Sequence, residues 1–175
     1  MLPEAEFADV ARKARKHRLW TPGATTRSLD LGRPAIDGML RHREPFAFVD
    51  RIVAFDPEQR AVEGRRVIRR DDPIFVGHFP GHAVYPGVLL VETMGQLAVC
   101  MRALLAPEPP AAPLDVRALS VQNATFLAEV PPGAELTVLA KDLDGDDTIA
   151  VAAGQVLLGD QIAASCVMEV YLVEN

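Results

Sequence analysis

At 175 residues, with 49% hydrophobic and 24% charged side chains, the chain suits one ordinary globular domain rather than two, or a disordered segment. A formal net charge of −6 argues against a nucleic-acid binder. Two cysteines without CxxC spacing, Cys100 and Cys166, point away from a zinc ribbon or disulfide scaffold and suit buried free thiols.

Residues 4–19 read as an amphipathic helix, because Phe7, Val10, Ala11 and Ala14 fall at helical spacing with charges between them. Thr21–Pro34, with two prolines and two glycines, reads as a loop. The chain therefore divides into an N-terminal helix and linker over 1–34 and a main domain over 35–175. Phe46–Val53 and Ala61–Ile68 are expected strands, turned at Asp56-Pro57. Asp71 to Tyr85 lacks periodicity and carries Gly77, Pro80 and Gly81, so it is a long loop of the kind that often holds function.

Pro86 and Gly87 open the most apolar segment, Val88 to Leu105, with Pro86 suited to a first helical position. Apolar residues nearly surround this helix, which predicts burial over roughly 30 Å. Prolines in Ala106–Pro113 end it. The rest is β: an extended run over Val116–Val130, a turn at Pro131-Pro132-Gly133, then strands over Ala134–Lys141 and Thr148–Leu158. Gly159-Asp160 signals a hairpin into a last strand that alternates through Ile162, Ala164, Cys166, Met168, Val170 and Leu172. One buried helix with five or six largely antiparallel strands is an α+β layout. The N-terminus has no secretory signal core, and no uninterrupted apolar run approaches the roughly 18 residues of a membrane span, so a cytoplasmic protein is expected.

Glu92 stands out chemically, as a carboxylate on a helix otherwise built for a core. It must be paired, face a cavity or hold its proton. His78 in the loop before the helix makes an acid–base pair plausible. Gln96, four residues after Glu92, shares its helix face and could hydrogen-bond it. Basic residues cluster at Arg12 to Arg18 and at Arg65, Arg66, Arg69 and Arg70. Each cluster is a solvated face or a docking patch for an acidic partner. Asp142 to Asp147 superficially resembles a calcium loop but lacks the later glutamate, so an acidic hairpin turn is expected. Neither a metal nor a cofactor is expected.

His78-Phe79-Pro80-Gly81-His82, Pro86-Gly87-Val88 and Glu92 together resemble the signature of the FabZ-type 3-hydroxyacyl-carrier-protein dehydratases. Leu40 to Phe46, running into Phe48-Val49-Asp50-Arg51, resembles that family's second motif, and Phe126 through Pro132-Gly133 to Leu136 a third. The resemblance covers roughly residues 36–172. It implies a hotdog fold, in which an antiparallel sheet wraps one long central helix, here with an extra N-terminal helix. It also implies a homodimer with a shared active site, with a trimer of dimers as the expected larger assembly, acting on an acyl carrier protein that bears a 3-hydroxyacyl-phosphopantetheine. No nucleic acid or membrane enters.

Carried over, His78 takes the C2 proton and Glu92 assists the departing hydroxyl. The Gly87 N–H receives the thioester oxygen. Phe79, Tyr85, Val88 and Gln96 are further substrate-binding candidates, and Arg65, Arg66, Arg69 and Arg70 a carrier-docking patch. His42 and His82 read as loop organisers. Tyr85 and Ala83 stand where the family commonly has methionine and proline. Alternatives are a hotdog thioesterase or enoyl hydratase, or a non-catalytic acyl-binding subunit. His78 and its spacing to Glu92 argue against the first two, and the intact pair against the last.

Overall fold

The computed structural model describes residues 4–146 and 148–173. Elements in chain order are α1 (Glu4–Ala14), β1 (Arg27–Leu31), the one-turn α2 (Arg33–Asp37), β2 (Arg51–Asp56), β3 (Ala61–Val67), a 3-10 turn (Pro73–Val76), α3 (Gly87–Leu105), β4 (Val116–Phe126), β5 (Glu135–Gly145), β6 (Ile149–Leu158) and β7 (Gln161–Leu172). The seven strands form one antiparallel sheet in the order β1-β2-β3-β5-β6-β7-β4. It curls around α3, as the hotdog resemblance implied.

Helix α3 is the spine of the core. Leu90, Met94, Leu97, Cys100 and Met101 are buried against the inner sheet face, each large apolar side chain contributing about 1.5–3 kcal/mol. At Gly154 of β6 the helix comes so close that a Cβ would sit 2.5 Å from Met94 Cβ. Burial pushes the Cys100 and Cys166 thiols up to about 12, as suits inert core residues. By length and hydropathy α3 could cross a membrane, but ten of its residues are buried in this fold. Burial is incomplete at its start, where Val88 is 69% exposed. Pro86 stands just outside the helix, at its N-cap, rather than at the first helical position.

Strand alternation lets β6 serve two cores. Ala152 and Val156 face α3, while Val151 and Ala153 face α1, packing with Phe7, Ala11 and Val167. The sheet is thus covered on both sides. Gln155, fully buried on the outer face, donates to Ala14 O (2.6 Å) and His17 O (2.8 Å) and accepts from Leu19 N–H (2.9 Å). Trp20 follows, packed on Leu139 and Leu157, with its indole N–H on Val62 O at 3.2 Å.

Four expectations need correction. The first helix ends at Ala14 rather than at residue 19, where the chain turns to meet Gln155. Thr21–Pro34 contains β1, a short edge strand on β2, and the first residues of α2. The strand expected at Phe46–Val53 runs instead over Arg51–Asp56, because the backbone at Phe46 and Phe48 is satisfied by the Gln96 side chain and not by a neighbouring strand. The extended run from Val116 ends as a strand at Phe126, and its continuation lines the site described below. In the acidic hairpin, Asp146 accepts the Thr148 and Ile149 N–H groups; Asp147 lies outside the described residues.

Candidate active site

The loop before α3 is closed on itself. Phe79 and His82 exchange backbone hydrogen bonds at 3.2 and 3.0 Å around Gly81, whose φ of +82° suits glycine. The Val84 N–H donates to His78 O at 3.1 Å, and the Tyr85 N–H moors the loop to Val130 O at 2.8 Å. His78 Nδ1 lies 2.8 Å from Val84 O. A carbonyl only accepts, so Nδ1 carries the proton and the lone pair of the neutral ring sits on Nε2. The loop therefore selects the tautomer that a proton acceptor needs. Phe79 stacks on the imidazole, with centroids 4.0 Å apart.

His78 borders an open cleft of about 490 Å³, lined also by Tyr85, Gly87, Val88, Phe126 and Glu129. Gly87 is the first residue of α3, and among the described residues its N–H has no backbone acceptor. The positive end of the helix dipole lies behind it, an arrangement able to meet a negative charge. A Cβ at Gly87 would lie 2.7 Å from Phe126 Cδ1, so any larger residue must displace that ring. Tyr85 is buried, and burial pushes its phenol above the ordinary range, partly offset by the Arg66 guanidinium. At the rim, His82 Nε2 meets Glu129 Oε2 at 3.0 Å.

Glu92 does not line this cleft. Its carboxylate, one third exposed, accepts the Gln96 amide at Oε1 (2.9 Å), and His42 Nε2 lies 3.5 Å from the same oxygen. Oε2 has no hydrogen-bond partner among the described residues. Gln96 is buried, and its other bonds go to Phe48 N–H (2.8 Å) and Phe46 O (3.0 Å). It therefore holds Glu92 and commits both ends of its amide to protein partners. His42, read from sequence as a loop organiser, faces the catalytic candidate; Arg33 and Arg43 fix its backbone by bonding its carbonyl at 3.0 and 2.9 Å.

The four-arginine patch is not one surface. Arg66 is 7% exposed, bonded to Asp50 Oδ1 at 2.9 Å and Ala47 O at 3.1 Å, with its guanidinium over Phe48. Arg65 turns outward to Glu63 and Thr137. Arg69 pairs with Asp71, and Arg70 packs beside Gly133. Among the described residues no three His, Cys, Asp or Glu side chains are grouped to hold a metal.

The FabA-like domain family matches residues 40–166, a span that includes His42, His78, Gly87 and Glu92. A 3-hydroxyacyl-[acyl-carrier-protein] dehydratase FabZ from Geotalea uraniireducens is 35% identical over 137 residues, covering 78% of this chain and 93% of that relative. The chain belongs to the FabA-like family, among the FabZ-type proteins. The FabZ of Chlamydia trachomatis serovar L2 is 31% identical over 145 residues, or 83% of this chain and 94% of that relative. Among solved structures, the dehydratase heterocomplex ApeI:P from Xenorhabdus doucetiae matches with a TM-score of 0.68 and 15% identity, over 85% of this chain and 94% of that one. That likeness is one of fold, and the fold is the hotdog. The matched family domain begins after α1 and β1, so the helix that covers the outer sheet face lies outside it.

Proposed function

We propose that this FabZ-type chain removes water from (3R)-3-hydroxyacyl thioesters held on an acyl carrier protein, using His78 of one protomer and Glu92 of its partner. The observation that carries the reading is the division of the pair within one chain: His78 and the Gly87 N–H share a cleft whose lining omits Glu92. That cleft meets the end of β4 at Phe126; β4 is an edge strand with exposed apolar side chains at Leu119, Val121 and Phe126, and Val88 of the cleft is exposed as well. Such an edge favours pairing with a second copy. The pairing would bring in the missing carboxylate; a trimer of such dimers is the larger assembly we expect.

In the proposed reaction His78 Nε2 takes the C2 proton, and the C2–H electron pair becomes the C2–C3 double bond. The C3–O bond breaks as Glu92 Oε2 gives its proton to the hydroxyl, which leaves as water. The enolate-like charge on the thioester oxygen is met by the Gly87 N–H. Proton return from the imidazolium to the carboxylate resets the site. A cytoplasmic setting suits the buried free thiols.

Mass spectrometry of 3-hydroxyacyl carrier protein incubated with wild type, His78→Ala and Glu92→Gln tests the reading. Each variant should fail alone. Their re-paired mixture should recover about one quarter of wild-type activity, because random two-fold pairing leaves one intact site in half of the dimers. No recovery would place the pair within one protomer, and release of free acid by wild type would replace dehydration with thioester hydrolysis.

A further inference from the structure

The basic cluster at Arg12 to Arg18 is not absorbed by the dehydratase reading. It lies on the opposite side of the sheet from α3, where α1 and the strap after it cross the outer face. There they enclose a second cavity of about 180 Å³ against β5. Lys13, His17, Arg18 and Lys141 line it, and among the described residues no carboxylate does. Val10, Leu19 and Leu143 give it an apolar floor and belong to the edge of the small outer core.

The charges are not all committed. Lys13 pairs with Asp9 at 2.7 Å and Arg18 with Glu63 at 2.7 Å, but Glu63 is also claimed by Arg65. The side chains of Lys141 and His17 have no ion-pair partner among the described residues. The cavity also meets the C-terminal end of α1, where the Lys13 and Ala14 carbonyls are already bonded to Lys16 N–H, His17 N–H and the Gln155 amide. The residual negative end of the helix dipole disfavours a multiply charged guest. A single negative charge on a short apolar body matches both rim and floor. The volume is that of about six waters at ~30 Å³ each, too small for a long acyl chain.

We propose that this outer cavity binds a short-chain carboxylate, its head against Lys141 and its tail on Val10, Leu19 and Leu143. The site is independent of the catalytic pair, and either assignment can fail without the other. Part of the cavity wall comes from a segment that precedes the matched family domain.

The test is a soak of wild-type crystals with 6-bromohexanoate, located by bromine anomalous scattering, with calorimetry of hexanoate in solution. Bromine in the outer cavity is expected, with hexanoate binding there weakened roughly tenfold or more in Lys141→Glu, the scale of one charge-assisted contact. Lys141→Gln should show a smaller loss and guards against a folding defect in the reversal. Dehydration should be unchanged in both. Bromine confined to the catalytic cleft, or absent from the molecule, would overturn the proposal. So would outer-cavity binding that is indifferent to Lys141, or inorganic phosphate or hexanol binding as well as hexanoate.

Discussion

Gln96 holds Glu92 from one helical turn away: its amide N–H meets Glu92 Oε1 at 2.9 Å while its own oxygen accepts the Phe48 N–H at 2.8 Å. One buried side chain thus ties the proposed acid to the chain segment that shelters it. Gln96→Leu should lower kcat more than it raises KM, since the Gln96 amide is committed to Glu92, Phe48 and Phe46. It should also cost about 2–3 kcal/mol in a urea melt, because the Phe48 N–H and Phe46 O lose their partner inside the protein. A rise in KM with kcat intact would mean that Gln96 binds substrate after all.

Gly87 and Phe126 are coupled by contact. Gly87→Ala should destabilise by about 1–3 kcal/mol through overpacking on the ring, and should slow dehydration as the Phe126 side chain is displaced into the cleft. Combining it with Phe126→Ala should relieve much of the stability loss, a non-additive pair in a double-mutant cycle. Additive losses would show that the ring is not what the methyl group meets.

Arg66 is a structural residue, and its reversal should be felt by the fold. Arg66→Glu sets a buried carboxylate against Asp50 and should cost about 3–5 kcal/mol by chemical denaturation. Arg65→Glu should be mild. Activity on carrier-bound and small thioester substrates should fall together in the Arg66 variant; a loss confined to the carrier-bound substrate would restore the docking role.

Asp56 gives the edge of the sheet a pH dependence. Burial pushes its carboxyl up, but the Gln59 backbone N–H (2.9 Å), Thr26 hydroxyl (2.6 Å), Gln59 amide (3.0 Å) and Thr25 hydroxyl (2.9 Å) outweigh burial and hold it well below the ordinary value of 3.8. A lowered folded value means that the unfolded chain binds the proton first on acidification. The stabilisation is then complete above about pH 5 and is lost as pH falls through the folded value. In urea melts, wild type should exceed Asp56→Asn by a constant margin near neutrality, and the margin should shrink below about pH 4. A margin that does not change with pH would remove the carboxylate from the account.

Much of this was legible in the sequence because its signals are local. The Pro86-Gly87 start and apolar run of α3, the Gly159-Asp160 hairpin and the alternation of β7 each follow from short-range spacing. The motif residues His78 and Gly87 both border one cleft beside α3. What escaped depends on tertiary partners. Phe46 to Phe48 has the apolar look of a strand, yet its backbone is answered by a side chain fifty residues on. Strand β1 has five residues on an edge and little burial to pattern it. Arg66 departs from the four-arginine patch for a reason the sequence carries: neighbouring residues of a strand point to opposite faces, so Arg65 and Arg66 do not share a surface.

Gln155 has a practical consequence for anyone shortening this chain. A version beginning where the family match does would keep every proposed catalytic residue, yet would strip the Gln155 amide of its three partners in the N-terminal strap. Val151, Ala153 and Val167 would meet water around it. Such a truncation would trade a sealed outer wall for a sticky one, and self-association through that wall could be mistaken for the native assembly in a sizing experiment.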